Sequence, residues 1–450
     1  MKSQPDLLEG SIPKNLLKMS LPLTATAFVT MAYNLTDTIW IGRIGTNAVA
    51  AAGTIGFLIW IAGAISFIPK IGMGVLASQY FGAGDIKKTQ EILESGFTLT
   101  IIISLINFIL MFLIKDIFIG FYKFDYEVAK SANDYFLGIC LTFILTLTNT
   151  VLSQAFYSLG DSLTPFKISS IGLIFNVIVD PFLIFGIGPF PEFGIFGAGL
   201  ATVLGELIVL FVFIFVINKR NDVLKLAFEF KYRKTYWYKN IISLGIFSSA
   251  ISAFQAIVAV ILNRFMAYFG PVPVAVYTIG SQIEQICWMT VEGLQSSISA
   301  FTAQNFGAKN FYRVKEVIKY SLFFSISVGV VAFLILFIFR NDLFLIFVPN
   351  DVKTQNLGAK YLMIMSISEI FIAMELGITG IFNGLGDTKT PSLVANFLNL
   401  LRIPMALIFM KFFGGLGVWI SMSLSSILKG SLDFLLLHIK MKKQKILKMQ

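Results

Sequence analysis

The sequence predicts an all-α membrane protein: twelve transmembrane helices in two pseudo-symmetric six-helix bundles around a central cavity. Three observations lead there. Of 450 residues, 56% are apolar by type and 13% are charged, about half the charged share of an ordinary soluble domain. Mean hydropathy is +0.80, and the apolar residues fall in blocks of about 20 or more, the length a helix needs to cross roughly 30 Å of hydrocarbon. The second half of the chain also repeats the first. The first two observations exclude a soluble enzyme.

The blocks run over residues 15–42, 47–80, 89–114, 131–160, 163–187 and 194–218, then 239–269, 272–304, 314–339, 354–383, 390–413 and 416–438. Polar or Gly/Pro-marked breaks separate them. Residues 1–14 are polar, and the first block passes Asp37 with no small-residue cleavage pattern, so the first helix is expected to stay in the mature protein. The expected organisation is an amino-terminal bundle (1–218), a basic linker (219–238), a carboxy-terminal bundle (239–438) and a basic tail (439–450).

With twelve crossings, both termini and every second loop share one side. That side carries 23 Lys and Arg residues against 9 on the other, so the linker, the tail and both termini are expected to be cytoplasmic, in the cell membrane. The net charge of +10 is thus accounted for by orientation, and no nucleic-acid partner is expected. Three basic residues, Lys70, Arg402 and Lys429, fall within or at the ends of predicted helices. Lys429 is expected to snorkel to the cytoplasmic surface. Cys140 and Cys287 read as core thiols, and a lone His438 leaves no His-based metal or triad chemistry.

Repeats are found by sliding the sequence over itself. Gln79 to Ala83 returns as Gln304 to Ala308 and Lys14-Asn15 as Lys239-Asn240, each 225 residues later. Thr54-Ile55-Gly56 returns as Thr278-Ile279-Gly280 at 224, and Leu159-Gly160-Asp161 and Thr164-Pro165 return as Leu385-Gly386-Asp387 and Thr390-Pro391 at 226. Six crossings separate the copies, so they are parallel repeats. Such repeats serve alternating access, in which one half rocks against the other. No nucleophile-base pair, zinc motif or phosphate loop is present, so transport is expected rather than catalysis or ATP-driven pumping.

An ionisable side chain within a helix core costs several kcal/mol unless it is paired or wet, so each one is a functional candidate. Asp37 lies in the first block with Asn34 three and Tyr33 four residues earlier, on one face. Asp180 lies in the fifth with Asn176 one turn before it. Pro181 follows and frees the carbonyl of Val177. A carboxylate, an amide and a loose carbonyl suit a proton or a hard monovalent cation. For Asp37 a helix-end acid at the outer interface is the plainer alternative. At the repeat offset Asp37 meets Leu262, and Asp180 meets Ala406 or Ile403, so both acids are missing from the second copy. That copy has its own acids, Glu284, Glu292, Glu369 and Glu375. Two readings stand for Glu369 and Glu375: attraction of a cationic substrate, or an internal pair with Arg402. Lys70, after Pro69, either neutralises an acid or meets an anionic substrate.

Together these residues resemble the multidrug and toxic compound extrusion family, in its DinF-like bacterial branch. The likeness covers essentially the whole chain. It rests on Ser20-Leu21-Pro22, Tyr33-Asn34-Leu35-Thr36-Asp37, Gly42-Arg43-Ile44-Gly45, Phe81-Gly82-Ala83-Gly84-Asp85, Leu159-Gly160-Asp161 with Pro165, Asn176 to Gly186, Gln304 to Ala308 and Gly384-Leu385-Gly386-Asp387. The resemblance implies a secondary antiporter without cofactor that exports cationic or amphipathic organic compounds in exchange for H⁺ or Na⁺. It implies a cation site at Asp37, Asn176, Asp180 and Thr202, with Tyr33 nearby. A NorM-like site would need acids where this chain has Gln255 and Ile372. The expected partners are the bilayer and small substrates, with the monomer as the working unit. A flippase for a lipid-linked precursor is the alternative, with only Lys70 and Arg402 to meet a pyrophosphate.

Overall fold

The computed structural model describes residues 6–231, 234–349 and 351–443. Residues 444–450, most of the expected basic tail, lie outside them. Among the described residues there is no strand, and fifteen helices follow one another. The first half holds α1 (Ile12–Ile44), α2 (Thr46–Gly82), α3 (Ile86–Phe121), α4 (Tyr126–Ile139), α5 (Thr142–Ser158), α6 (Leu163–Phe185), α7 (Gly194–Asn218) and the short α8 (Val223–Ala227). The second holds α9 (Thr235–Ala267), α10 (Pro271–Gly307), α11 (Phe311–Ile338), α12 (Arg340–Phe347), α13 (Val352–Gly384), α14 (Lys389–Phe413) and α15 (Leu416–Lys443).

Ten of these helices are long and apolar enough to cross a membrane, and α4 with α5, bent by 43° at their break, make one more. α10 has 37 residues, as many as α2, but is more polar, with Ser281, Gln282, Glu284 and Gln285 in one turn. With α10 the twelve predicted crossings are all present as helices. Two local features depart from expectation. The fourth block is broken at Cys140-Leu141, and α12 is a separate short helix. Leu113, Ile117 and Phe121, one turn apart on α3, are 68%, 75% and 82% exposed, an outward apolar stripe suited to lipid.

The chain divides into two compact units, one built from Ala25–Ser249, the other from Ala250 onward together with the stretch up to Thr24. Both divisions fall inside a helix, α1 after Thr24 and α9 after Ser249, and these points are 225 residues apart, the repeat offset. The leading end of α9 therefore packs within the first unit and the leading end of α1 within the second. The two packings correspond. A Cβ on Gly72 of α2 would lie 2.0 Å from the carbonyl oxygen of Ile241 on α9. Their repeat mates are Ser297 and Leu16, and the Ser297 hydroxyl donates to the Leu16 carbonyl at 3.4 Å.

The repeated Leu-Gly-Asp motif forms one clasp in each unit. Asp161 accepts from the backbone N–H of Thr164 at 3.1 Å and from its hydroxyl at 2.9 Å, so it caps the start of α6. Asp387 treats Thr390 at the start of α14 in the same way. Each acid also holds a base from the end of the bundle. Arg220 reaches Asp161 at 2.8 Å and lies 5.0 Å from the ring of Phe156. Lys440 reaches Asp387 at 2.5 Å and lies 5.2 Å from Phe382, the repeat mate of Phe156.

At Asp387 burial opposes ionisation, but the hydrogen bonds from Lys440 and Thr390 outweigh it and hold the carboxyl below the ordinary range. A depressed folded-state value contributes stability above the unfolded value of about 4, and that contribution is lost as pH falls through the folded value. Asp387→Asn is expected to lower the melting temperature by a few degrees at neutral pH and to remove this part of the acid dependence. Asp161→Asn is expected to cost more, because Asp161 and Arg220 are 1% and 12% exposed against 25% and 20% for Asp387 and Lys440. Thermal melts in detergent between neutral and acid pH check both.

Candidate cation site

α1, α6 and α7 of the first unit bring four polar residues to one buried point. α6 and α7 approach closely because Gly172, Gly197 and Gly205 line their contact. A Cβ on Gly197 would lie 2.4 Å from the Leu183 carbonyl oxygen, and one on Gly172 would lie 2.4 Å from Val209. Gly205 serves α1: a Cβ there would meet the Tyr33 hydroxyl at 2.5 Å. The Tyr33 hydroxyl instead reaches over Gly205 and donates to the Thr202 carbonyl at 3.2 Å. This hydrogen bond fixes the turn of α7 that faces Asp37.

Asp37 is 9% exposed, Thr202 is 9%, and Asn176 and Asp180 are 0%. The Thr202 hydroxyl lies 3.1 Å from Asp37 Oδ2 and 3.0 Å from the Ala198 carbonyl, and its single proton serves one or the other. The Asn176 amide donates to Asp180 Oδ1 at 3.2 Å. Asp37 and Asp180 lie close enough to act on each other directly. Three oxygens at this point, Asp37 Oδ1, Asp180 Oδ2 and Asn176 Oδ1, accept no hydrogen bond from any described residue.

Two buried carboxyls this close repel each other when both are ionised, and a positive charge between them relieves the repulsion. A shared proton does this. A hard monovalent cation does as well, since the unsatisfied atoms are all oxygens. Among the described residues no group of three or more His, Cys, Asp or Glu forms a metal site, and no basic side chain forms an ion pair with either acid. The donor set fits a proton or an alkali cation.

Asn34 departs from the same-face expectation: it is exposed, and its backbone carbonyl accepts from the Thr38 hydroxyl. Three residues before Asp37 it is turned about 60° away, whereas Tyr33, four before, is turned about 40°. Sequence reasoning missed Glu206. It lies on α7 one turn after Thr202, takes a hydrogen bond from the Asn149 amide at 2.6 Å and is within electrostatic reach of Tyr33. The rule that singled out Asp180, an acid inside an apolar run, applies equally to it.

Among the charges of the second copy, Glu284, Glu369, Glu375 and Arg402 are buried and Glu292 is exposed. Glu375 pairs with Lys429 and not with Arg402: Lys429 Nζ lies 3.0 Å from both carboxylate oxygens. Lys429 thus stays buried at 3% exposure instead of snorkelling, because a carboxylate stands within reach. Arg402 donates to the hydroxyls of Ser425 and Ser426 on α15. Lys70 is half-buried in the first unit, 5.1 Å from the ring of Phe67.

The family model for MatE matches residues 22–182 and again residues 248–408, once in each copy of the repeat. The chain belongs to the MatE family. MatE proteins are transporters, so the membrane helices and the repeat serve transport and not catalysis. A probable multidrug resistance protein NorM from Thermotoga maritima is 27% identical over 442 residues, which cover 94% of this MatE chain and 92% of that one. An FAD transporter from Shewanella oneidensis is 26% identical over 440 residues, 96% and 95% of the two chains. A MOP superfamily transporter from Pyrococcus furiosus has the same fold, with a TM-score of 0.89 at 20% identity over 98% of each chain.

Proposed function

We propose that this MatE transporter is a secondary active antiporter of the cell membrane that exports cationic or amphipathic organic compounds in exchange for H⁺ or Na⁺. The observation that carries the ion half of the reading is the juxtaposition of Asp37 and Asp180, two buried carboxyls that act on each other with Thr202, Asn176 and Tyr33 around them. The site takes the cation from one side of the membrane and gives it up to the other as the protein alternates. The substrate half is supported by relatives named for multidrug resistance. The excess of basic residues on one set of loops supports an inward-facing placement of both termini. Carboxyls in the first unit, with Gln255 and Ile372 where the NorM-like branch uses acids, favour the DinF-like branch.

One charge moving down about 100 mV supplies roughly 2.3 kcal/mol, or some fiftyfold accumulation of a neutral substrate. The test is export from proteoliposomes with a pH gradient and a Na⁺ gradient imposed one at a time. Efflux of a cationic dye under one gradient and not the other identifies the ion; dependence on neither overturns antiport. The FAD transporter relative supports an anionic substrate as the second reading. Labelled FAD in the same vesicles separates the two: gradient-driven movement of FAD without movement of the dye favours the anion.

A further inference from the structure

The second unit contains a buried ionisable group for which antiport at Asp37 and Asp180 has no use. Asp433 lies on α15 and is 0% exposed, and neither of its carboxylate oxygens accepts a hydrogen bond from any described residue. One turn before it on the same face is Lys429, which holds Glu375 of α13 through both oxygens at 3.0 Å. A further turn back are Ser425 and Ser426, which accept from Arg402 of α14 at 2.5 and 2.9 Å. The other acids of the unit's interior are Glu369, one to two turns from Glu375 on α13, and Glu284 on α10. Asp433 stands seven residues, about 10 Å along the axis, before Lys440, which is engaged with Asp387.

The charge count at this point is uneven. Lys429 and Glu375 cancel each other, and Arg402 forms no ion pair with Asp433 and is held two turns away by the serines. An unpaired carboxylate at full burial costs several kcal/mol, whereas the neutral acid costs far less. We propose that Asp433 is a second cation site of this transporter, specific for a proton, and that Lys429 and Glu375 set when it is filled. One ammonium faces two carboxyls. While Lys429 pairs with Glu375, Asp433 carries the proton on one oxygen. When a proton from water or a cationic substrate neutralises Glu375, Lys429 turns to Asp433, and the proton on Asp433 leaves to water. Sodium is disfavoured here, because it needs several oxygen ligands and would sit beside an ammonium that repels it, whereas a proton binds covalently to one carboxylate oxygen and needs no ligand shell. The site is independent of Asp37 and Asp180, which lie in the other unit.

Infrared difference spectra of the purified protein between alkaline and mildly acidic pH read this directly, through the carbonyl stretch of protonated carboxylic acids. The wild type is expected to show one buried-acid band that Asp433→Asn lacks and that the double variant Asp37→Asn/Asp180→Asn retains. Glu375→Gln is expected to lose the same band, since Lys429 is then free to pair with an ionised Asp433; this variant keeps the test open if Asp433→Asn does not fold. Retention of the full band in folded Asp433→Asn, or in Glu375→Gln, overturns the proposal. Loss of bands only in the Asp37 and Asp180 variants overturns it too, while leaving the first site intact.

Discussion

Asp180→Asn is expected to abolish gradient-driven export while the protein still folds and inserts. The amide matches the carboxyl in shape, and Asn176 still has a partner in it, so packing around Pro181 is kept. What is lost is the second negative charge facing Asp37. Without it the site holds one carboxyl, and the exchange of a cation for none no longer biases the two shapes of the protein. Accumulation against a gradient falls from up to roughly fiftyfold per driving charge to about onefold, while downhill exchange of substrate continues. Asp37→Asn is expected to behave alike, with Thr202 left to bond the amide. Thr202→Ala removes one oxygen and no charge, so its loss is smaller and shows as weaker ion affinity. Dye export and equilibrium exchange, measured side by side in proteoliposomes, separate coupling from simple inactivity.

Gly245→Val is the second change with a large expected effect, and it acts on the fold. A Cβ at Gly245 of α9 would stand 2.0 Å from the Ile68 carbonyl oxygen of α2, just as one on Gly72 would stand 2.0 Å from that of Ile241. The two glycines let the backbones of α2 and α9 approach one after the other along their length, and the obstacle in each case is main chain, which no rotamer change can move. Helix contact in a bilayer rests on close packing of this kind. Overpacking costs about 1–3 kcal/mol where side chains can yield, and here the helices must separate. The expected result is a several-fold loss of membrane-inserted protein and a lower melting temperature, with Gly72→Val behaving alike. Fluorescence size-exclusion profiles of the two variants check this; wild-type yield and profile would show that the helices part easily.

How much of this was legible in the sequence differs by residue. Asp180 was found because a carboxyl inside an apolar run followed by proline has no cheap explanation. Tyr33 followed from helical spacing, and the same spacing argument placed Asn34 one position too generously. Thr202 came only through family resemblance, since a threonine within α7 carries no signal of its own. Glu206 and Asp433 were open to the rule that found Asp180 and were passed over in strongly apolar surroundings. Pairings were the least accessible: Lys429 with Glu375, and Arg402 with two serines, depend on how α13, α14 and α15 are rotated about their axes, which a hydrophobic pattern this uniform does not fix. The repeat put the same Leu-Gly-Asp motif at Asp161 and Asp387, but revealed neither the clasps those acids form nor that α1 and α9 each change unit part-way along.

The central claim, that Asp37 and Asp180 together hold the coupling cation, is tested most directly without transport. Wild type and the Asp37→Asn/Asp180→Asn double variant, purified in detergent, are titrated with acid from alkaline pH down to about 6, above the range in which an ordinary carboxyl takes up its proton, in the absence of Na⁺ and then with NaCl at fixed pH, and the cations bound per chain are counted. The account predicts that the double variant binds at least one H⁺ or Na⁺ fewer per chain than the wild type. Equal binding by both proteins across the two titrations would contradict it.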